Sequence, residues 1–265
     1  MIDDLKWAGY IGAMKMKLSQ HAAIVIFILI GFTSCSSQQE IMLKNNGSGT
    51  ARVEIELHPF FVQYLRDLTA AFGDPLQEGE QFRVFDELKI AQSFSRISGL
   101  SLDRFDRLAP GHIRIDAAFD NLAEVIPAPD IPGTAPVISI HKEKETGGRL
   151  NILEIDLNSE NVQTLYSMLG MEEQQNMLTF GPQPDPLSRE EYMDMMAYAL
   201  GTYADETALR NVLESQSVYI NIEVEGEIIE GYGVTFQKNT ASLYLPFLRP
   251  ATLKEPVRVS LKWRE

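Results

Sequence analysis

The sequence predicts an α+β domain: antiparallel sheet with amphipathic helices covering one face. The first observation is strict alternation of apolar and polar residues in widely separated segments. Val53, Ile55 and Leu57 alternate with Arg52, Glu54 and Glu56; Val218, Ile220, Ile222 and Val224 alternate with Tyr219, Asn221, Glu223 and Glu225. Such strands have one wet and one dry face, the habit of antiparallel sheets. The second is that helix-spaced apolar blocks lie between the strand sets and can cover the dry face. The third is the absence of any internal repeat at a solenoid period.

The elements follow in order. His58-Pro59 ends the first strand, and Pro59 suits the opening turn of a helix. On that helix Phe61, Leu65, Leu68 and Phe72 recur at i, i+4, i+7 and i+11. Phe82, Phe85, Leu88, Ile90 and Phe94 predict a second amphipathic helix stopped at Gly99. Leu100 to Phe119 reads as a hairpin turning at Ala109-Pro110-Gly111, with Ile113, Ile115, Ala117 and Phe119 inward. Four prolines place Pro127 to Pro136 in a loop. A second hairpin closes near Thr146-Gly147-Gly148, and the phase change between Ile152 and Leu153 predicts a bulge. Asn158, Ser159 and Asn161 are capping types for a helix ending at Gly170. Ser188 and Glu191 match a capping box, and one or two helices run on to about Glu214. Leu243, Leu245 and Phe247, then Val257, Val259, Leu261 and Trp263, complete the strands.

The N-terminus indicates where the protein works. The only cysteine, Cys35, follows an eleven-residue apolar run, Ala22 to Phe32, with Lys15 and Lys17 before it. A membrane-spanning helix needs about 20 such residues. The run fits the apolar region of a secretory signal peptide instead. Phe32-Thr33-Ser34-Cys35 resembles the lipobox of bacterial lipoproteins, with Phe32 where an aliphatic residue is usual. That resemblance implies cleavage before Cys35, a diacylglycerol thioether on its sulfur, and a membrane partner reached through the lipid. It implies export to the envelope, at the outer membrane or the periplasmic face of the inner one. Asp3 and Asp4 are acidic where a signal peptide is basic, so Met14 or Met16 is the better start and residues 1–13 fall outside the signal.

The expected organisation is a signal peptide over 1–34, a lipidated cysteine and flexible tether over 35–49, and one α+β domain over 50–265 with a helical block at about 158–214. The tether reading rests on "SSQQEIMLKNNGSG", polar and ending in glycine and serine. Fourteen residues reach about 45 Å extended and roughly 20 Å as a coil. A chain from Gly49 to Glu265 is then expected to fold alone, without reductant or metal.

Composition excludes several functions. The segment 1–34 carries three lysines and two aspartates, so its removal moves the formal charge from −14 to −15. A chain so acidic is a poor nucleic-acid binder, because that binding relies on Lys and Arg neutralising phosphates. A single cysteine rules out intrachain disulfides and cysteine-based metal sites. His58, His112 and His141 are far apart, and no zincin pair, nucleophile elbow or phosphate-cradling loop is present. No catalytic, cofactor-binding or metal residue is therefore assigned, and no cofactor is implied. Glu54, Glu56, Glu223 and Glu225 should face water, with residues such as Arg258 or Lys262 as cross-strand partners. Helix-spaced methionines, Met193 and Met196 among them, read as core filling rather than thioether copper ligands.

The C-terminal segment "SVYINIEVEGEIIEGYGVTFQKNTASLYLPFLRP…PVRVSLKW" resembles the LppM-type domain of bacterial lipoproteins: a strand ending in a glycine turn at Gly226, a short hairpin, an Asn-Thr strand and a final strand. The resemblance covers about 45 residues and transfers no site. Together these features point to a lipid-anchored, non-catalytic protein that binds a protein partner or a small ligand. One alternative is an envelope hydrolase using acidic residues. Another is an apolar-ligand, lipid-binding protein. For the latter, Leu165, Leu169, Tyr192, Met196, Ala199 and Tyr203 recur at helical spacing and would line a pocket between helices and sheet.

Overall fold

A computed structural model describes residues 36–72, 82–125, 135–145, 148–168, 181–183 and 185–265. The chain is α+β. Its strands are β1 (Ser36–Leu43), β2 (Gly49–Glu56), β3 (Leu100–Ala109), β4 (His112–Phe119), β5 (Ile138–Glu145), β6 (Gly148–Leu157), β7 (Ser217–Val224), β8 (Glu227–Tyr232), β9 (Thr235–Gln237), β10 (Thr240–Pro246) and β11 (Val257–Arg264). Its helices are α1 (Pro59–Phe72), α2 (Glu87–Phe94), α3 (Leu122–Val125), α4 (Ser159–Met168), α5 (Arg189–Leu200), α6 (Glu206–Ser215) and α7 (Leu248–Thr252).

The strands form two sheets. One has the order β3-β4-β2-β1-β7-β10-β9 and the other β5-β6-β11-β8. All pairings are antiparallel except β1 with β7. The dry faces meet each other. Ile55, Ile115, Ile220 and Leu243 of the large sheet share one core with Leu153, Leu157, Leu261 and Trp263 of the small one. The expected cover of a dry face is thus supplied mainly by the second sheet, with α2, α3 and α4 adding Phe94, Leu122 and Val162. At Gly226 the chain leaves β7 for β8 at φ +143, and a Cβ there would lie 2.1 Å from the Arg264 carbonyl oxygen. Only glycine permits that approach.

A second core lies beyond one end of the large sheet. It contains Phe60 and Phe61 of α1, Tyr192, Met193 and Met196 of α5, Leu209 and Leu213 of α6, and Phe247 and Ala251 around α7. The connectivity places it there. β2 ends at Glu56 just before α1, β7 starts at Ser217 just after α6, and β10 ends at Pro246 just before α7. Ser36 pairs with Glu56, and Ser217 with Pro246, so all four termini share one end of the sheet.

The tether is corrected. Residues 36–43 form β1, an interior strand with β2 on one side and β7 on the other. Its inward positions are Ser37, Gln39, Ile41 and Leu43; the first two are polar yet buried. Residues 44–48 make the tight turn into β2, with the Lys44 N–H donating to Ser48 O at 2.8 Å. Asn45 holds that turn to the small sheet, because its Oδ1 accepts from Trp263 Nε1 at 2.9 Å and from Asn151 Nδ2 at 3.0 Å.

Smaller expectations fare variously. The capping box is present: Ser188 Oγ accepts from the Glu191 N–H, and the Glu191 carboxylate from the Ser188 N–H. Asn158 and Asn161 cap α4 reciprocally, each side chain accepting from the other's N–H at 3.0 Å. The second helix is shorter than predicted, because the Asp86 side chain accepts from the Leu88 and Lys89 N–H groups and starts it at Glu87. Leu88 is 73% exposed, against the expectation that it faces inward, because it lies about 200° around the helix from the core-facing Ile90. β6 runs without a bulge against both neighbours; the β8–β11 pairing shifts register between Lys262 and Trp263, where Ile229 is the extra residue of β8.

Candidate functional site

The inward faces do not fill the space between the sheets. A cavity of about 110 Å³ remains, walled by both sheets, by Phe94 of α2 and by Leu122 and Val125 of α3. Among the described residues every lining side chain is apolar except Gln39 of β1. Wholly apolar cavities of similar size, about 150 Å³ in the familiar example, stay dry and bind small apolar molecules. At roughly 24 cal/mol per Å³, such a void forgoes about 2–3 kcal/mol of packing that an apolar occupant restores. Small side chains create the room: Ala51 on β2 lies directly opposite Ala117 on β4, and both line the cavity. Gln39 is only 6% exposed, and its Nε2 has a long contact of 3.4 Å to Ser37 Oγ. A buried amide so weakly engaged costs stability unless something else bonds to it.

A second cavity, of about 420 Å³ and more open, lies beside the first. Leu243, Leu245 and Val257 line both. The remainder of its lining differs in character: Tyr232, Arg249, Glu255, Pro256 and Arg258 are all exposed. Arg249 Nη2 donates to the Pro256 carbonyl oxygen at 3.3 Å, which holds its guanidinium at the rim.

The described residues among those predicted to line a pocket lie in the second core. Tyr192 and Met196 are fully buried in the second core, where Tyr192 packs edge-on to Phe247 at 6.3 Å. Tyr203 is half-buried against Tyr64 at 5.8 Å, and Ala199 packs on the same cluster. Leu165 lies on α4, but its side chain, like Leu169 and Cys35, falls outside the described residues. Of the described ones, Tyr192, Met196, Ala199 and Tyr203, none lines either cavity. What sequence reasoning missed was Gln39, the one polar inward residue facing the void. Its signal is a β-like spacing with Ile41 and Leu43, inside a stretch whose polar composition resembles a tether.

The charged face of the large sheet holds cross-strand clusters. Glu54 accepts from Arg114 at 2.7 and 3.0 Å and bonds His112 Nε2 at 2.8 Å. These bonds, Arg114 first and His112 second, hold its carboxyl below the usual range, against a smaller opposing effect of burial. Glu54 is thus an ionised clamp between β2 and β4, half-buried rather than free in water. Arg258 and Lys262 find other partners, Asp156 and Glu230 in the small sheet. Among the described residues no three His, Cys, Asp or Glu side chains are grouped to hold a metal ion. A glycosidase pair would need two carboxyl groups about 5–10 Å apart in a cleft. Among the described residues the inner cavity has no carboxylate in its lining and the outer one has only Glu255.

No protein-family model and no curated protein matches the chain. Among solved structures it is similar to the folded domain of the Mycobacterium tuberculosis LppM protein, determined by NMR. The identity is 11%, the TM-score is 0.34, and the match covers 86% of this chain and 88% of that one. A TM-score of 0.34 transfers neither a fold nor a site.

Proposed function

We propose that the protein is an exported, lipid-anchored envelope protein whose domain takes up an apolar small molecule between its sheets. The observation that carries the ligand reading is the inter-sheet cavity, dry-walled except for Gln39. The anchor reading rests on the lipobox resemblance at Phe32-Thr33-Ser34-Cys35. It agrees with there being, among the described residues, no helix long and apolar enough to cross a membrane. Because β1 begins at Ser36, an anchor on Cys35 leaves no spacer. The end of the large sheet that carries Ser36, Glu56, Ser217 and Pro246 then sits against the bilayer, with the second core beside it. Two acyl chains suffice for stable attachment, at about 0.8 kcal/mol per buried methylene.

Two experiments test the parts separately. Cys35→Ala should move the protein from the detergent phase to the aqueous phase or leave an uncut precursor; equal partitioning of wild type and variant sinks the anchor. Ala117→Leu adds three carbons to the cavity wall. It should abolish uptake of an apolar fluorophore while leaving the melting temperature unchanged or higher. In a fully packed core the same change would cost about 1–3 kcal/mol by overpacking. That loss, with uptake intact, would end the ligand reading.

A further inference from the structure

The two adjoining cavities differ in polarity in a way that specifies a ligand. We infer that they form one amphipathic site for a single-chain anionic amphiphile, its tail between the apolar inter-sheet walls and its carboxylate or phosphate head at Arg249. This rests on the ligand reading above and adds the chemical class.

Three observations carry it. First, Leu243, Leu245 and Val257 form a wall common to both cavities, so a chain entering the outer one reaches the inner one past three side chains. Second, the inner space of about 110 Å³ suits the end of one chain and not two, while the outer 420 Å³ has room for the rest of the chain and a head group. The outer cavity alone is already within the range of small-molecule sites, about 300–1,000 Å³. Third, the rim carries an available cation on an otherwise acidic protein. Among the described residues no carboxylate lies within ion-pair distance of Arg249, whose Nη2 bonds only a carbonyl oxygen there. Arg258, by contrast, is held by Asp156 at 3.3 Å. A guanidinium is planar and can meet either head group with two parallel hydrogen bonds.

The location fits delivery from a membrane. Leu245 pairs with Val218, and Val218 with Ser37. The outer cavity therefore lies two strand spacings, about 10 Å, from the start of β1, at the end an anchor on Cys35 would hold to the bilayer.

The test uses the full chain and three photoreactive probes with a diazirine near the tail: a 16-carbon fatty acid, its lysophosphatidate counterpart and the uncharged alcohol. Labelled peptides are mapped by mass spectrometry. One or both anionic probes should label β1, β6 and β7 about tenfold more than the alcohol, the scale of one charged hydrogen bond. The stronger of the two names the head group. Arg249→Gln should remove the preference, leave alcohol labelling unchanged and leave the melting temperature unchanged, since Arg249 is exposed. Equal labelling by acid and alcohol in wild type, or a preference that survives Arg249→Gln, overturns this inference but spares the cavity reading. Failure of every probe to label the cavity strands overturns both.

Discussion

A chain that begins at Gly49 should fail to fold, whereas one that begins at Ser36 should melt cooperatively without reductant or metal. In the strand order of the large sheet, β1 joins the β3-β4-β2 half to the β7-β10-β9 half. Removing it strips ladder hydrogen bonds from β2 and β7 together and takes away Leu43, which is fully buried. It also removes Asn45, which ties the Trp263 indole to the turn. Total stabilities of domains are about 5–15 kcal/mol, and loss of an interior strand exceeds that margin. Thermal melts followed by circular dichroism decide it. A sharp transition in the shorter chain would restore the tether reading and detach the sheet from the anchor.

Met196→Ala should lower stability by about 2–5 kcal/mol, the cost of a large-to-small change in a packed core. Met196 is 0% exposed among Phe60, Tyr192, Leu209 and Phe247. Uptake of an apolar fluorophore should be unchanged once folded, because Met196 lines neither cavity. Denaturant titration and probe binding on the same variant give both numbers. A mild loss of stability with altered uptake would return the binding site to the helical block.

Much of this fold was legible in the sequence, because one wet face per strand imposes period two. β2, β4, β7 and β11 follow directly from it, and the Ser188-Glu191 box marks a helix start on purely local chemistry. β1 was illegible for a physical reason. Its outward residues Gln38 and Glu40 are polar, but so are its first inward residues, Ser37 and Gln39, so half the strand shows no contrast between faces. Leu88 was misplaced because it lies two residues, about 200° around the helix, from Ile90, which packs on the core. The meeting of the two sheets was illegible too, since alternation says that a face is dry but not what covers it. The cavity is harder still. Its walls are the same inward residues that make the core, and only the side-by-side placement of Ala51 and Ala117, distant in sequence, leaves the space. Arg249 sits on a five-residue helix that no periodicity announced.

The most direct measurement is mass spectrometry of the organic extract from the full chain purified out of its own membranes, with Ala117→Leu prepared in parallel. The account predicts a single-chain amphiphile at near one equivalent in the wild type and its depletion in the variant. An extract without such a molecule, or equal amounts from both proteins, would contradict it.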